Sequence, residues 1–283
     1  MKALRETGAT LMNEPAAPAG PLPAAAPDID FTPAPGAAPR GVMIAAQATA
    51  EIKSVLRNGE QLVLTLVIPV LLLVAFSAEP LISFGSGTRV DWLTPGIIAL
   101  AVMSTAFTSQ AIATGFERRY GVLKRLGAEP LSRAGLIAAK TISVLAIELG
   151  QCVLIVIIAF ILGWSPGAGP VAVVTVPLLV LAGTAAFSGL ALLMAGTLRA
   201  EGTLAAANLV YVVLLGVGGV VFPLTKFPAA ARPFLELLPS GALSTGLRSV
   251  LQLGAAFPAG NIVTLLVWAA VGITLAARTF RWE

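Results

Sequence analysis

Residues 117–133 read ERRYGVLKRLGAEPLSR and lie between two long apolar runs. Together with Lys140, this stretch carries six of the chain's 18 Lys+Arg. A basic island between two membrane-length runs marks a loop kept on the cytoplasmic side. At about 100° per residue, Tyr120, Val122, Leu123 and Leu126 share one arc. Glu117, Arg118, Lys124, Arg125 and Glu129 share the other, with Arg119 as the exception. The stretch is expected to form a short amphipathic helix lying across a loop. Pro130 and Ser132 would stop it, and Gly121 would let a partner come close. On charge alone, a positive-inside loop with no further duty fits equally well.

Composition sets the class. A hydrophobic fraction of 57%, 11% charged residues and a mean hydropathy of +0.91 leave too little polar surface to coat a soluble globule of this length. The expected fold is an all-α, polytopic membrane protein. The pI is near 9.6, but the basic residues cluster at the ends of apolar runs, which sets topology rather than tracking phosphates. A nucleic-acid partner is therefore excluded. Cys152 is the only cysteine and histidine is absent, so an intrachain disulfide, a thiol cluster and His-based metal or acid–base sites are excluded as well.

Outward from the island, about six transmembrane helices are expected. Residues 1–40 form an Ala/Pro-rich tail broken by Pro15, Pro18, Pro21, Pro23, Pro27, Pro33, Pro35 and Pro39, expected to be a disordered cytoplasmic extension; residues 41–283 form the transmembrane domain. From Gly41 to Asn58, Ile44, Ala45, Ala48, Ile52, Val55 and Leu56 share one helical face. Gln47, Glu51, Lys53, Ser54, Arg57 and Asn58 share the other, as in an interfacial helix with its apolar side in lipid. The first span, 61–78, contains Pro69, tolerated where a neighbouring helix re-satisfies the freed carbonyl. An outer loop carries Glu79, Arg89 and Asp91, and Trp92 marks the interface where the second span, 93–116, begins. The third span covers 137–162, the fourth 171–198, the fifth 204–221 and the last 261–277.

Several polar groups fall inside these spans. Thr105, Thr108, Ser109 and Gln110 lie on the second span, and Glu148 lies near the middle of the third, with Gln151 one turn on as a hydrogen-bond partner. A carboxyl group at that depth must be protonated, paired or facing a wet cavity. Glu148, Gln151, Thr108 and Gln110 are candidates for a substrate path or for polar helix–helix contacts. On the fourth span, Gly183, Gly189 and Gly196 with Thr184 and Ser188 predict close packing in a crowded bundle. Pro223, Pro228, Pro233 and Pro239 cut the segment before the last span into short helices, leaving Phe227, Phe234, Leu237 and Leu238 exposed, as in a re-entrant outer-leaflet hairpin. With both termini inside, eleven basic residues face the cytoplasm, and Arg89, Lys226, Arg232 and Arg248 face outward.

The motif E-R-x-x-G-x-L-x-x-L-x-A-x-P-L, beginning at Glu117 at the end of the second span, resembles the first intracellular loop of type-2 ATP-binding cassette (ABC) exporter permeases, the group that includes daunorubicin-resistance-type drug exporters. The resemblance covers the chain from about Ala45 onward, and Glu117, Arg118, Gly121, Leu123 and Leu126 occupy the motif positions. It implies that this loop is a coupling helix docking into a groove of a separate ATPase subunit, with Arg119, Tyr120, Lys124 and Arg125 in the same contact stretch. An elbow helix before the first span and two short helices before the last also belong to that family. LPSGALSTGLRSVL resembles the second of these, matching at Pro239 and Arg248. The resemblance further implies two permease halves, either identical or paralogous, and two ATPase subunits in a bacterial plasma membrane.

No G-x-x-x-x-G-K-[ST] occurs and the dipeptide Gly-Lys is absent, so this chain cannot cradle nucleotide phosphates in a P-loop. It is expected to be no enzyme and to bind no cofactor, with ATP and Mg on the partner ATPase and membrane lipid around it. A secondary transporter would show matching halves and intramembrane carboxylates; only Glu148 lies deep in a span. An intramembrane hydrolase would need a Ser with a His, or paired acids. A lining of few fixed charges and an aromatic content of only 6% favour a hydrophobic or amphipathic cargo (a drug, an antibiotic or a lipid) over a polysaccharide.

Overall fold

The structure is a computed structural model that describes residues 36, 38–78, 88–126, 129–254 and 257–279. Expectations for nearly all of the Ala/Pro tail, for the loop at 79–87 with Glu79, and for Arg281 lie outside the described residues. Pro39 caps helix α1, Arg40–Arg57, which packs along the long helix α7, Arg133–Ile161. Ala48 is buried in that contact, and Ile44, Ile52 and Val55 are half-buried. The apolar face expected in lipid is thus turned largely onto protein. Glu51, assigned by the helical wheel to the outward polar face, is turned inward toward α7.

The first apolar segment comprises α2 (Gly59–Leu62), a π-helical turn (Val63–Val67) and α3 (Ile68–Ala78). Pro69 lacks an N–H, and its ring cannot tolerate the carbonyl four residues back, that of Thr65. The wide turn opens the backbone there, and Gln151 Nε2 of α7 donates to the freed Thr65 carbonyl. Among the described residues, five helices are long and apolar enough to cross a membrane: Arg89–Arg119, Ala134–Ile161, Ala172–Thr197, Ala200–Val217 and Ala259–Thr279. The expected first span is represented by the shorter apolar helix Thr65–Ala78. Every element among the described residues is helical, and the protein is an all-α polytopic membrane protein.

Arg89–Arg119 is the axis of the bundle, built from α4 (Arg89–Val102), a π-helical turn (Met103–Ser109) and α5 (Gln110–Arg119). Its start is a capping box: the Asp91 N–H donates to Thr88 Oγ1 at 3.4 Å, and the Thr88 N–H donates to Asp91 Oδ2 at 3.0 Å. Arg89 and Asp91 therefore belong to the helix, not to the loop expected from sequence. Leu93 through Met103 are buried without a break.

Around this axis, α8 (Ala172–Thr197) and α12 (Ala259–Thr279) cross glycine to glycine. A Cβ on Gly189 would lie 2.9 Å from the Ile273 backbone nitrogen, and one on Gly272 would lie 2.9 Å from the Gly189 carbonyl carbon. The small residues of the fourth span let the two backbones approach, as their spacing predicts.

After α9 (Ala200–Val217), Gly219 adopts φ +69° and the chain turns through a 3₁₀ turn (Leu224–Lys226), α10 (Arg232–Glu236) and α11 (Pro239–Leu251). The expected pair of short helices is present, but α11 is buried along nearly its whole length. Arg248, counted above as an outward-facing charge, is 6% exposed and donates to the carbonyls of Gly219, Val220 (2.8 Å) and Trp92 (3.4 Å). Phe234 and Leu237 are exposed, whereas Phe227 and Leu238 are half-buried. Asn261 Nδ2 donates to the Ala242 carbonyl at 2.9 Å and Trp268 Nε1 to the Leu237 carbonyl at 2.8 Å, fixing α12 to the hairpin.

Candidate functional site

The stretch after the second span does not form the single amphipathic helix expected. Helix α5 ends at Arg119, Gly121 takes φ +68°, and only the short α6, Val122–Leu126, follows. A left-handed residue past a helix C-terminus is normally glycine because a Cβ is disfavoured there. A Cβ on Gly121 would meet nothing within 4 Å, so backbone conformation, not close approach, requires this glycine. Ser132 also has a different task. Its Oγ accepts the Gly135 N–H at 3.1 Å and caps the start of α7 instead of ending the preceding helix.

The wheel's apolar arc is only partly buried. Leu123 is 1% exposed and anchors α6, and Leu126 is half-buried. Tyr120 is 65% exposed, stacked on Phe116 with ring centroids 6.0 Å apart, and the Arg119 guanidinium lies 5.9 Å from its ring centre. Val122, Lys124 and Arg125 are exposed beside it. Tyr120, Val122, Lys124 and Arg125 thus form a small mixed apolar and basic surface on a turn whose two sides are held by ion pairs.

On one side, Lys140 of α7 donates to Glu117 Oε2 at 2.7 Å and pairs with Glu51 Oε1 at 3.3 Å. Ser143 Oγ donates to Glu51 Oε2 at 2.9 Å, and Gln47 Nε2 to Glu51 Oε1 at 3.1 Å. Lys140 is 6% exposed, and a cation removed from water to that degree persists only with such partners. One ammonium therefore ties α1, the end of α5 and α7 together. On the other side, Arg118 donates to the Leu198 carbonyl and Arg119 pairs with Glu201, both at the corner between α8 and α9. The Arg119–Glu201 side chains are 50% and 63% exposed, so this second clamp adds little to stability.

The polar residues within the spans separate into two groups. Glu148 is 1% exposed, and its Oε2 accepts from Thr184 Oγ1 of α8 at 2.5 Å. The expected Glu148–Gln151 bond does not form, because Gln151 accepts from Thr105 Oγ1 at 2.9 Å and serves the Thr65 carbonyl. Glu148 and Gln151 thus join neighbouring helices. Thr108 Oγ1 and both polar side-chain atoms of Gln110 are buried without a hydrogen-bond partner. Gln110, with Thr105, Thr114, Glu117, Lys140 and Glu51, lines a partly enclosed cleft of about 120 Å³ between α1, the first apolar segment, the second span and α7. From sequence alone Lys140 counts as one more loop charge and Glu51 as one more residue on the polar face of the interfacial helix. Their shared signal is a lone lysine set one turn inside an apolar run.

This bundle, with a short helical turn after its buried second span and a helical hairpin before its last, has a matching family model. The model described as "ABC-2 type transporter" matches residues 44–252. The chain belongs to the ABC-2 type transporter family and is the membrane component, a permease, of an ABC transporter. Permeases of this family normally work with an ABC ATPase subunit. Family membership disfavours the secondary-transporter alternative. No curated protein matches the sequence.

Proposed function

We propose that the chain is the permease subunit of an ATP-driven exporter of the daunorubicin-resistance type, which moves a hydrophobic or amphipathic substrate out of a bacterial cell. Both termini are cytoplasmic, two permease halves and two ATPase subunits make the transporter, and ATP with Mg binds on the ATPases. Glu117 to Leu126 is the coupling element. The observation that carries this reading is the split between the inward-facing and outward-facing parts of that stretch. Glu117, Arg118 and Arg119 are committed to the permease's own α7 and to the α8–α9 corner. Tyr120, Val122, Lys124 and Arg125 are left at the surface.

A push on the exposed turn would reach two places at once: α7 and α1 through Lys140, and the α8–α9 corner through Arg118. Nucleotide drives the shift only if the ATPase grips the turn differently in its two states. The test is to co-reconstitute the permease with its ABC ATPase and replace Tyr120→Ala or Arg125→Glu. Removing an aromatic or arginine anchor from an interface typically costs about 2 kcal/mol, so ATPase stimulation and export should fall by at least tenfold while the permease stays folded. Wild-type stimulation in both variants would refute a docking role for this turn.

A further inference from the structure

The cleft beside Lys140 has a chemistry that the coupling role does not use. Among the described residues, two carboxylates, Glu51 and Glu117, and one ammonium, Lys140, line it, so they carry one formal negative charge in excess. Gln110 is 6% exposed with its amide oxygen and nitrogen both unpartnered, and Thr114 is 1% exposed with its hydroxyl unpartnered. Buried polar atoms without a partner are costly and are normally satisfied by something. Gln110 Oε1 and Thr114 Oγ1 present acceptors to a bound donor, and the surplus carboxylate charge favours a cation.

Among the described residues the lining contains no aromatic ring, so nothing in it suits a quaternary ammonium, whose usual host is an aromatic cage. An ammonium that keeps its N–H groups fits better. A volume of about 120 Å³ holds an aminoethyl group, or about four waters, but not the body of an amphiphile. Next to the cleft, on the far side of Ser54, which borders both, lies an open basic depression lined by Lys53 and Arg57 of α1. An acidic, hydrogen-bonding cleft beside an exposed basic patch complements a zwitterion that carries an ammonium next to a phosphate.

We propose that this composite site binds the head group of a phosphoethanolamine lipid. The ammonium would enter the Gln110–Thr114 cleft, the phosphate would rest on Lys53 and Arg57, and the acyl chains would lie along the exposed apolar side chains of Val63 and Val67. The bound lipid would wedge α1 against the second span beside the Lys140 triad. This inference needs only the permease in a membrane and is independent of the coupling role and of export direction.

The test is lipid retention by the full-length chain in nanodiscs, measured by native mass spectrometry across a series of dioleoyl lipids. Phosphatidylethanolamine should be retained at least tenfold more than phosphatidylcholine, which keeps the phosphate but has no N–H to donate, a loss of charge-assisted hydrogen bonds. Phosphatidylglycerol, without the amine, and dodecylamine, without the phosphate, should each be retained less than phosphatidylethanolamine. Gln110→Leu should abolish the preference over phosphatidylcholine, and Arg57→Ala should lower phosphatidylethanolamine retention without affecting dodecylamine. Equal retention of the ethanolamine and choline lipids by the wild-type chain would overturn the proposal without recourse to any variant. So would retention of none of them, which would mean that only water fills the cleft, or dodecylamine binding as well as the lipid.

Discussion

The seam between α8 and α12 and the ion-paired end of α5 hold this permease together by opposite means. At the seam, Gly189 and Gly272 bring two backbones into contact, and Gly183 faces Leu243 of α11 with a virtual Cβ only 3.0 Å from its side chain. Shape fixes this region, and a close-packed interface has one good solution. At the end of α5, Lys140 bridges Glu117 and Glu51, Arg118 and Arg119 reach the α8–α9 corner, and a polar cleft lies alongside. Ion pairs tolerate small displacements and exchange partners, whereas glycine contacts tolerate neither. Rigidity thus belongs to the seam and adjustability to the α5 end, the division that the proposed coupling role requires.

The largest effect should come from removing the hub of the adjustable end. Lys140→Met leaves two mostly buried carboxylates facing each other without a cation, a change that costs about 3–5 kcal/mol when one partner of a buried pair is lost. The side chains of Glu51 and Glu117 are 17% and 27% exposed, so the lower end of that range is expected. Thermal unfolding in detergent should show the drop. The triple variant Glu51→Gln, Lys140→Met, Glu117→Gln should recover most of the stability but not the ATPase coupling. A fully coupled triple variant would show that the charges are structural only.

A smaller effect, at the rigid region, is expected from Gly189→Ala. Its methyl would meet backbone rather than a movable side chain, and overpacking of this kind costs about 1–3 kcal/mol. The melting point should fall while coupling per folded molecule is retained. Gly216→Ala serves as the internal control, because a Cβ there would meet nothing within 4 Å. If Gly189→Ala melts like Gly216→Ala, the seam is not the rigid element. The smallest effect should come from Arg119→Ala, whose exposed pair with Glu201 is worth at most about 1 kcal/mol; its melting curve should overlay the wild type.

The fold was legible because membrane spans are long and their punctuation is chemical. Pro69 announced a freed carbonyl, and the structure supplies Gln151 to satisfy it. The glycines of the fourth span announced close packing, and Gly189 meets Gly272. What was not legible depends on tertiary partners. A helical wheel sorts apolar from polar residues but cannot tell protein from lipid, so Glu51 was placed outward although α7 offers it Lys140 and Ser143. Counting charges by segment assigns Arg248 to the outer side but does not show that it is buried, held there by three backbone carbonyls. The motif singles out the candidate stretch but not its shape: periodicity from Glu117 to Glu129 suggests one helix because amphipathic spacing does not register that Gly121 turns left-handed.

The central claim is that the turn from Tyr120 to Leu126 faces the cytoplasm and is covered there by an ATPase. The direct measurement is labelling of Arg125→Cys in a Cys152→Ser background with a membrane-impermeant maleimide on sealed cells. The account predicts no labelling until the cells are permeabilised, and strongly reduced labelling when the ATPase subunit is co-expressed. Labelling of intact cells from outside would contradict it.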